Sequence, residues 1–115
     1  MDPKKKETIK AFLSTLYSDT GNERCGFIMP STLVEVANVH LNPTEGFDIS
    51  ADDIVRWGNE CVATWHTHPG ATSNLSEDDY SCFVKQWPEL HHFIVGSDGV
   101  KCYKFDQQKS ALMEI

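Results

Sequence analysis

The chain has 115 residues, 40% of them hydrophobic and 23% charged, with a net charge of −7. That length builds one domain with a core of its own, over residues 1–115, needing neither disulfides nor a structural metal. The charge disfavours a nucleic-acid partner, and the absence of a long apolar run disfavours a membrane partner. The N-terminus shows no apolar signal core. The four cysteines form no C-x-x-C pair, so free thiols in a reducing cytoplasm are expected.

In chain order, Lys4, Lys5 and Lys6 read as a solvated helix start. Ile9, Phe12, Leu13, Leu16 and Tyr17 fall at helical spacing, which predicts an amphipathic helix over roughly residues 5–17. "SDTGNE" breaks it. "CGFIM" and "LVEVANVH" predict two strands joined at Pro30-Ser31, and "NPTEGFD" is a loop. Ser50 with Asp53 caps a short helix through "ADDIVRW". "CVATWHTH" is β-branched and aromatic, hence a strand, and "PGATSNL" is a loop. A further helix runs from Ser76 to about Lys85, with Tyr80, Phe83 and Val84 as its apolar stripe. "HHFIVG" and "VKCYKF" form a hairpin around Ser97-Asp98-Gly99, and "ALMEI" adds an edge strand. The result is an α+β domain, one sheet with helices packed on it.

The chemistry concentrates in "HTHPGATSNLSEDD", residues 66–79. Side chains alternate along a strand, so His66 and His68 project to the same side. Two such imidazoles share one metal ion if a third ligand arrives from elsewhere, and the acidic pair Asp78-Asp79 supplies it. Two histidines, a carboxylate and a water make the open four-coordinate arrangement of hydrolytic zinc. Ser76 and Asp79 also fit a plain helix cap, since S-x-x-D satisfies orphan amide donors.

The spacing H-x-H, seven residues, S, two residues, D over His66, His68, Ser76 and Asp79 resembles the JAMM signature of the JAB/MPN/Mov34 metallopeptidases. Glu23 in "NERCGFIM" matches the upstream glutamate of that family. The order of elements agrees over nearly the entire chain. The resemblance implies a JAB/MPN-like α+β domain with a mixed, curved sheet flanked by helices. It implies Zn2+ held by His66, His68 and Asp79, with Asp78 left as a charge in the first helical turn. It further implies Glu23 as general base and Ser76 as the residue steadying an oxyanion. The implied activity is cleavage of an amide or isopeptide bond in a peptide or protein substrate.

Within the family, "E-x-C-G-F" followed by "HTHPG" is most similar to the N-terminal domain of lambda-like phage tail assembly proteins. That likeness implies phage tail proteins as partners, and a host cytoplasm or a virion as the location. The NlpC-type second domain of those proteins is expected to be absent. Short loops follow Gly46 and Trp87, so no grip on ubiquitin chains is implied.

Three rival readings stand beside this one. Cys25 with His91 or His92 is a cysteine-peptidase pair, although a buried strand thiol and a strand-edge histidine pair explain them as well. A facial triad of two histidines and a carboxylate also serves non-haem iron, but leaves Ser76 and Glu23 without a part. The third is a non-catalytic tail assembly module that retains the zinc site.

Overall fold

The computed structural model describes all 115 residues. Helix α1 spans Pro3–Ser14, α2 spans Ala51–Trp57 and α3 spans Glu77–Gln86. The strands are β1 (Cys25–Ile28), β2 (Leu33–Val36), β3 (Ala63–Thr67), β4 (His91–Gly96), β5 (Gly99–Asp106) and β6 (Ala111–Glu114). They form one six-stranded sheet in the order β2-β1-β3-β4-β5-β6. β3 and β4 are parallel, with α3 as the crossover between them, and every other pair is antiparallel. This is the mixed α+β sheet with flanking helices that the sequence predicts.

Alternation along the strands divides the core. Ile28, Ala63, Trp65, Phe93, Val95 and Cys102 face one way and bury Leu13 of α1. Phe27 on β1, Ile94 on β4 and Tyr103 on β5 face the other way, towards α2 and α3. Phe83 of α3 is wholly buried there; truncating such a side chain to alanine costs about 3–5 kcal/mol. Gly26 is required on β1, because a Cβ there would strike the Val34 carbonyl and the Trp65 indole. The indole instead crosses the strand and donates to Val34 O at 3.1 Å.

Four expectations are corrected. Helix α1 stops at Ser14 rather than at Tyr17, because Ser14 and Thr15 turn their hydroxyls onto the Ala11 and Phe12 carbonyls at 2.7 Å, a local competition that loosens a helix end. Leu16 and Tyr17 still pack on the core, while Phe12 is 54% exposed. Strand β2 ends at Val36 rather than at His40, since Asn38 turns its side chain onto the backbone of the following loop. In α3, Tyr80 is exposed, and the inward positions are Asp79 and Phe83. Finally, His91 and His92 lie on an interior strand, not at a sheet edge.

Candidate metal centre

β3 delivers the two histidines as the alternation predicts. His66 is in the strand, and His68 follows one residue beyond its end, with its N–H still donating to Val95 O of β4 at 2.8 Å. Their Nε2 atoms lie 3.0 Å apart. The chain then turns at Gly70, whose φ is +70° and whose N–H donates to the Tyr17 hydroxyl at 3.1 Å. It crosses β4 at Gly96, where a Cβ would collide with the backbone of Thr72 and Ser73. That close approach places Ser76 at the start of α3, beside the end of β3.

Ser76 and Asp79 form a reciprocal cap. The Ser76 hydroxyl accepts from the Asp79 N–H at 3.1 Å, and the Asp79 carboxylate accepts from the Ser76 N–H at 3.2 Å. The same carboxylate reaches both imidazoles, Oδ1 to His66 Nε2 at 3.1 Å and Oδ2 to His68 Nε2 at 3.0 Å. Asp79 is 5% exposed, whereas Asp78, about 100° away around the helix, points to solvent. Capping and histidine contact are therefore two uses of one side chain.

Glu23 stands just ahead of β1, 8% exposed. The potential ligand atoms of Glu23, His66 and His68 all lie within 4.8 Å of one another. The structure thus brings Glu23, His66, His68 and Asp79 together, with Ser76 beside them on the wall of a cleft of about 680 Å³. Two acid–imidazole triads share the histidines, one completed by Glu23 and one by Asp79. Of the two carboxylates, Asp79 lies within 3.1 Å of both imidazole Nε2 atoms.

The electrostatics follow from burial and this crowding. Burial pushes the Glu23 carboxyl up to about 7; His68 opposes the shift, and Asp79 and Asp78 add to it. Burial also drives the Asp79 carboxyl up, but His66 and His68 outweigh it and hold the group well below the usual carboxylate range. The His66 imidazole is pulled down by burial. For His68 burial acts downward too, yet Asp79, the Thr72 carbonyl and Glu23 prevail, and its pKa rises.

These residues fit a metal ion on the chemistry of the donors. His68 Nδ1 lies 2.8 Å from the Thr72 carbonyl. A carbonyl only accepts, so Nδ1 carries the proton, and the neutral ring's lone pair sits on Nε2. That lone pair, His66 Nε2 and the Asp79 carboxylate converge within 3.0–3.1 Å. Groups rich in lone pairs tolerate such proximity only with a proton or a cation among them. A carbonyl fixing the far nitrogen is the usual support of a metal-binding imidazole.

Sequence reasoning missed several contributors. Phe47 lies against the His66 ring at 4.4 Å between centroids; an aromatic residue in the otherwise polar loop "NPTEGFD" was its signal. His40 and Cys82 line the cleft and carried no such signal. Cys25 has the Val36 carbonyl, 3.9 Å from its Sγ, as its hydrogen-bond partner. Burial pushes that thiol up to about 12, the opposite of an activated nucleophile.

A family model described as prokaryotic homologs of the JAB domain matches residues 5–109. Among solved structures, the solution structure of a protein from Desulfitobacterium hafniense is similar at 17% identity and a TM-score of 0.59. The match covers 98% of this chain and 86% of that one. A protein from Salinibacter ruber is similar at 16% identity and a TM-score of 0.50, covering 99% of this chain and 86% of the other. At such identities the two structures speak for the fold alone. No curated protein sequence matches. With a family model spanning nearly its whole length, the chain belongs to the prokaryotic homologs of the JAB domain.

Proposed function

We propose that this domain is a zinc-dependent metallopeptidase or isopeptidase. The observation that carries the reading is the convergence of His66 Nε2, His68 Nε2 and the Asp79 carboxylate within 3.0–3.1 Å, on a cleft that Glu23 and Ser76 also line. His66, His68 and Asp79 would hold the ion. Zinc, when bound, supplies a Lewis acid for the scissile carbonyl and makes water acidic near neutral pH. Glu23 accepts the proton of the attacking water and returns it to the leaving amine, a role worth about 10²–10⁴ in rate. The Ser76 hydroxyl accepts from the Asp79 N–H, which leaves its own proton free to donate to the oxyanion. The cleft is walled on one side by the loop bearing Phe47 and on the other by α3. Metal analysis coupled to a screen of peptide and isopeptide substrates tests the reading. Zinc at about one per chain with chelator-sensitive cleavage supports it, and a metal-free active protein would overturn it.

A second reading is a non-catalytic phage tail assembly module with a retained metal site. Ser76 is consistent with the non-catalytic part of this reading, because the helix cap alone accounts for that residue. The peptide-like partners are then tail proteins, and the location is the host cytoplasm or the virion. A stable complex with purified tail proteins, alongside inactivity on every substrate, would select it. No helix is long and apolar enough to cross a membrane.

A further inference from the structure

Glu23 lies one residue past the last tie to the sheet: the Arg24 N–H donates to Thr67 Oγ1 at 2.9 Å and the Arg24 carbonyl accepts from the Thr67 N–H at 2.9 Å. Strand β1 begins at Cys25, whose partners are Val36 on β2 and His66 on β3, so no ladder pair holds residue 23. Its backbone is nonetheless fixed at both ends. The Glu23 N–H donates to Pro43 O at 2.7 Å, and the Glu23 carbonyl accepts from Asn38 Nδ2 at 2.9 Å.

Asn38 does more than meet that carbonyl. Its Nδ2 also donates to Gly46 O at 2.9 Å and lies 3.4 Å from Pro43 O. Its Oδ1 accepts from the His40 N–H at 3.0 Å and the Asp48 N–H at 3.1 Å. One amide therefore closes the loop from residue 38 to residue 48 and ties it to the backbone of Glu23. Pro43, which anchors the Glu23 N–H, belongs to that loop, and so does Phe47, which covers His66. Only an amide does this, since three carbonyl oxygens converge on one end and two N–H groups on the other.

We propose that Asn38 is the positioning residue for Glu23, holding its backbone and the adjoining cleft wall where the sheet no longer reaches. The proposal rests on the proposed hydrolase only for its catalytic consequence. Asn38 makes no hydrogen bond to His66, His68 or Asp79, so the three donors themselves are kept when its amide is lost.

Asn38→Asp keeps the shape but turns an oxygen towards three carbonyls, and Asn38→Ala removes the donors without adding charge, should the first not fold. Amide hydrogen exchange on the whole protein is expected to accelerate at Glu23 by about tenfold or more, while Trp65 in β3 keeps its protection. Zinc added alone to metal-free protein is expected to bind with unchanged stoichiometry. On a peptide that the wild type cleaves, kcat is expected to fall about 10–100-fold, with KM nearly unchanged. Wild-type protection at Glu23 in both variants overturns the proposal, as does an equal loss of protection across the sheet or a loss of zinc binding. A wild-type protein that cleaves nothing argues against the hydrolase instead, and the exchange rates still decide the part played by Asn38.

Discussion

His66 and His92 lie on neighbouring parallel strands, on the same face of the sheet, beneath the same helix. Register pairs His92 with Thr64 and His66 with Ile94, so the two imidazoles are one alternation apart along the face. Phe83 stacks on His92 at 3.8 Å and sits 5.8 Å from His66. Both rings are fully buried, yet their nitrogens have opposite fates. His92 Nε2 donates to the Trp87 carbonyl at 3.0 Å, and Nδ1 meets the Thr64 hydroxyl at 2.7 Å. Both ends of that ring are consumed by neutral partners. At His66, Nε2 faces a second imidazole and a carboxylate, while Nδ1 has no partner. Burial alone therefore does not separate a structural histidine from a candidate metal ligand. What separates them is whether the ring faces groups that only a shared cation or proton reconciles.

The largest expected effect breaks this contrast outright. His66→Ala or Asp79→Ala is expected to reduce zinc from about one per chain to near zero, measured by elemental analysis. His92→Gln is expected to keep it. Asp78→Asn is also expected to keep it, because that side chain points to solvent. Metal retained in Asp79→Ala and lost in Asp78→Asn would reverse the assignment. Next in size is Glu23→Gln, which removes the proposed base and leaves the three donors in place. Zinc stays bound and turnover falls by about 10²–10⁴. Unchanged turnover in the zinc-loaded variant would put the base elsewhere.

Much of this contrast was legible in the sequence, for a definable reason. His66, His68 and Asp79 sit within fourteen residues, residues 66–79, and local periodicity fixes their directions: alternation for the strand, capping for the helix. The β-pairs were legible where hydrophobic runs and the Ser97-Asp98-Gly99 turn marked them. What escaped depends on contacts distant in sequence. The sequence suggests a strand edge for His92, because nothing local reveals that β4 lies between β3 and β5. Phe47 and Asn38 act across the fold on His66 and Glu23, and a polar loop offers no period from which to read that. The apolar stripe places Tyr80 inward, whereas the inward place at the start of α3 is held by Asp79, whose carboxylate meets the Ser76 N–H and both imidazoles.

The contrast sharpens with pH. Burial lowers the His92 pKa to about 4, with the Trp87 carbonyl opposing, against about 6.5 in an unfolded chain. The unfolded chain then binds the proton more readily, so stability falls as pH drops through the window from about 6.5 to about 4. The total is about 3 kcal/mol at roughly 1.4 kcal/mol per unit. In metal-free protein, denaturant titrations of His92→Gln are expected to show lower stability at neutral pH and a slope shallower than wild type across that window. An identical slope in both proteins would mean that His92 does not carry this linkage.

The last effect concerns Ser76, where folding and chemistry meet in one hydroxyl. Its oxygen accepts from the Asp79 N–H, and losing a cap of this kind costs about 1 kcal/mol. Its proton is free for an oxyanion, and losing one such donor costs about 10²–10³ in kcat. Ser76→Ala removes both, and the two losses are read by different instruments: the cap by the melting temperature, the donor by turnover in zinc-loaded protein. Asp79 is retained in this variant but loses the partner of its own N–H, so a small decrease in zinc affinity accompanies the fall in melting temperature. Ser76→Thr keeps the hydroxyl and the cap, and is expected to recover most of both. A Ser76→Ala protein that melts early yet turns over normally would make the serine a cap alone, and would leave the rate to Glu23 and the metal.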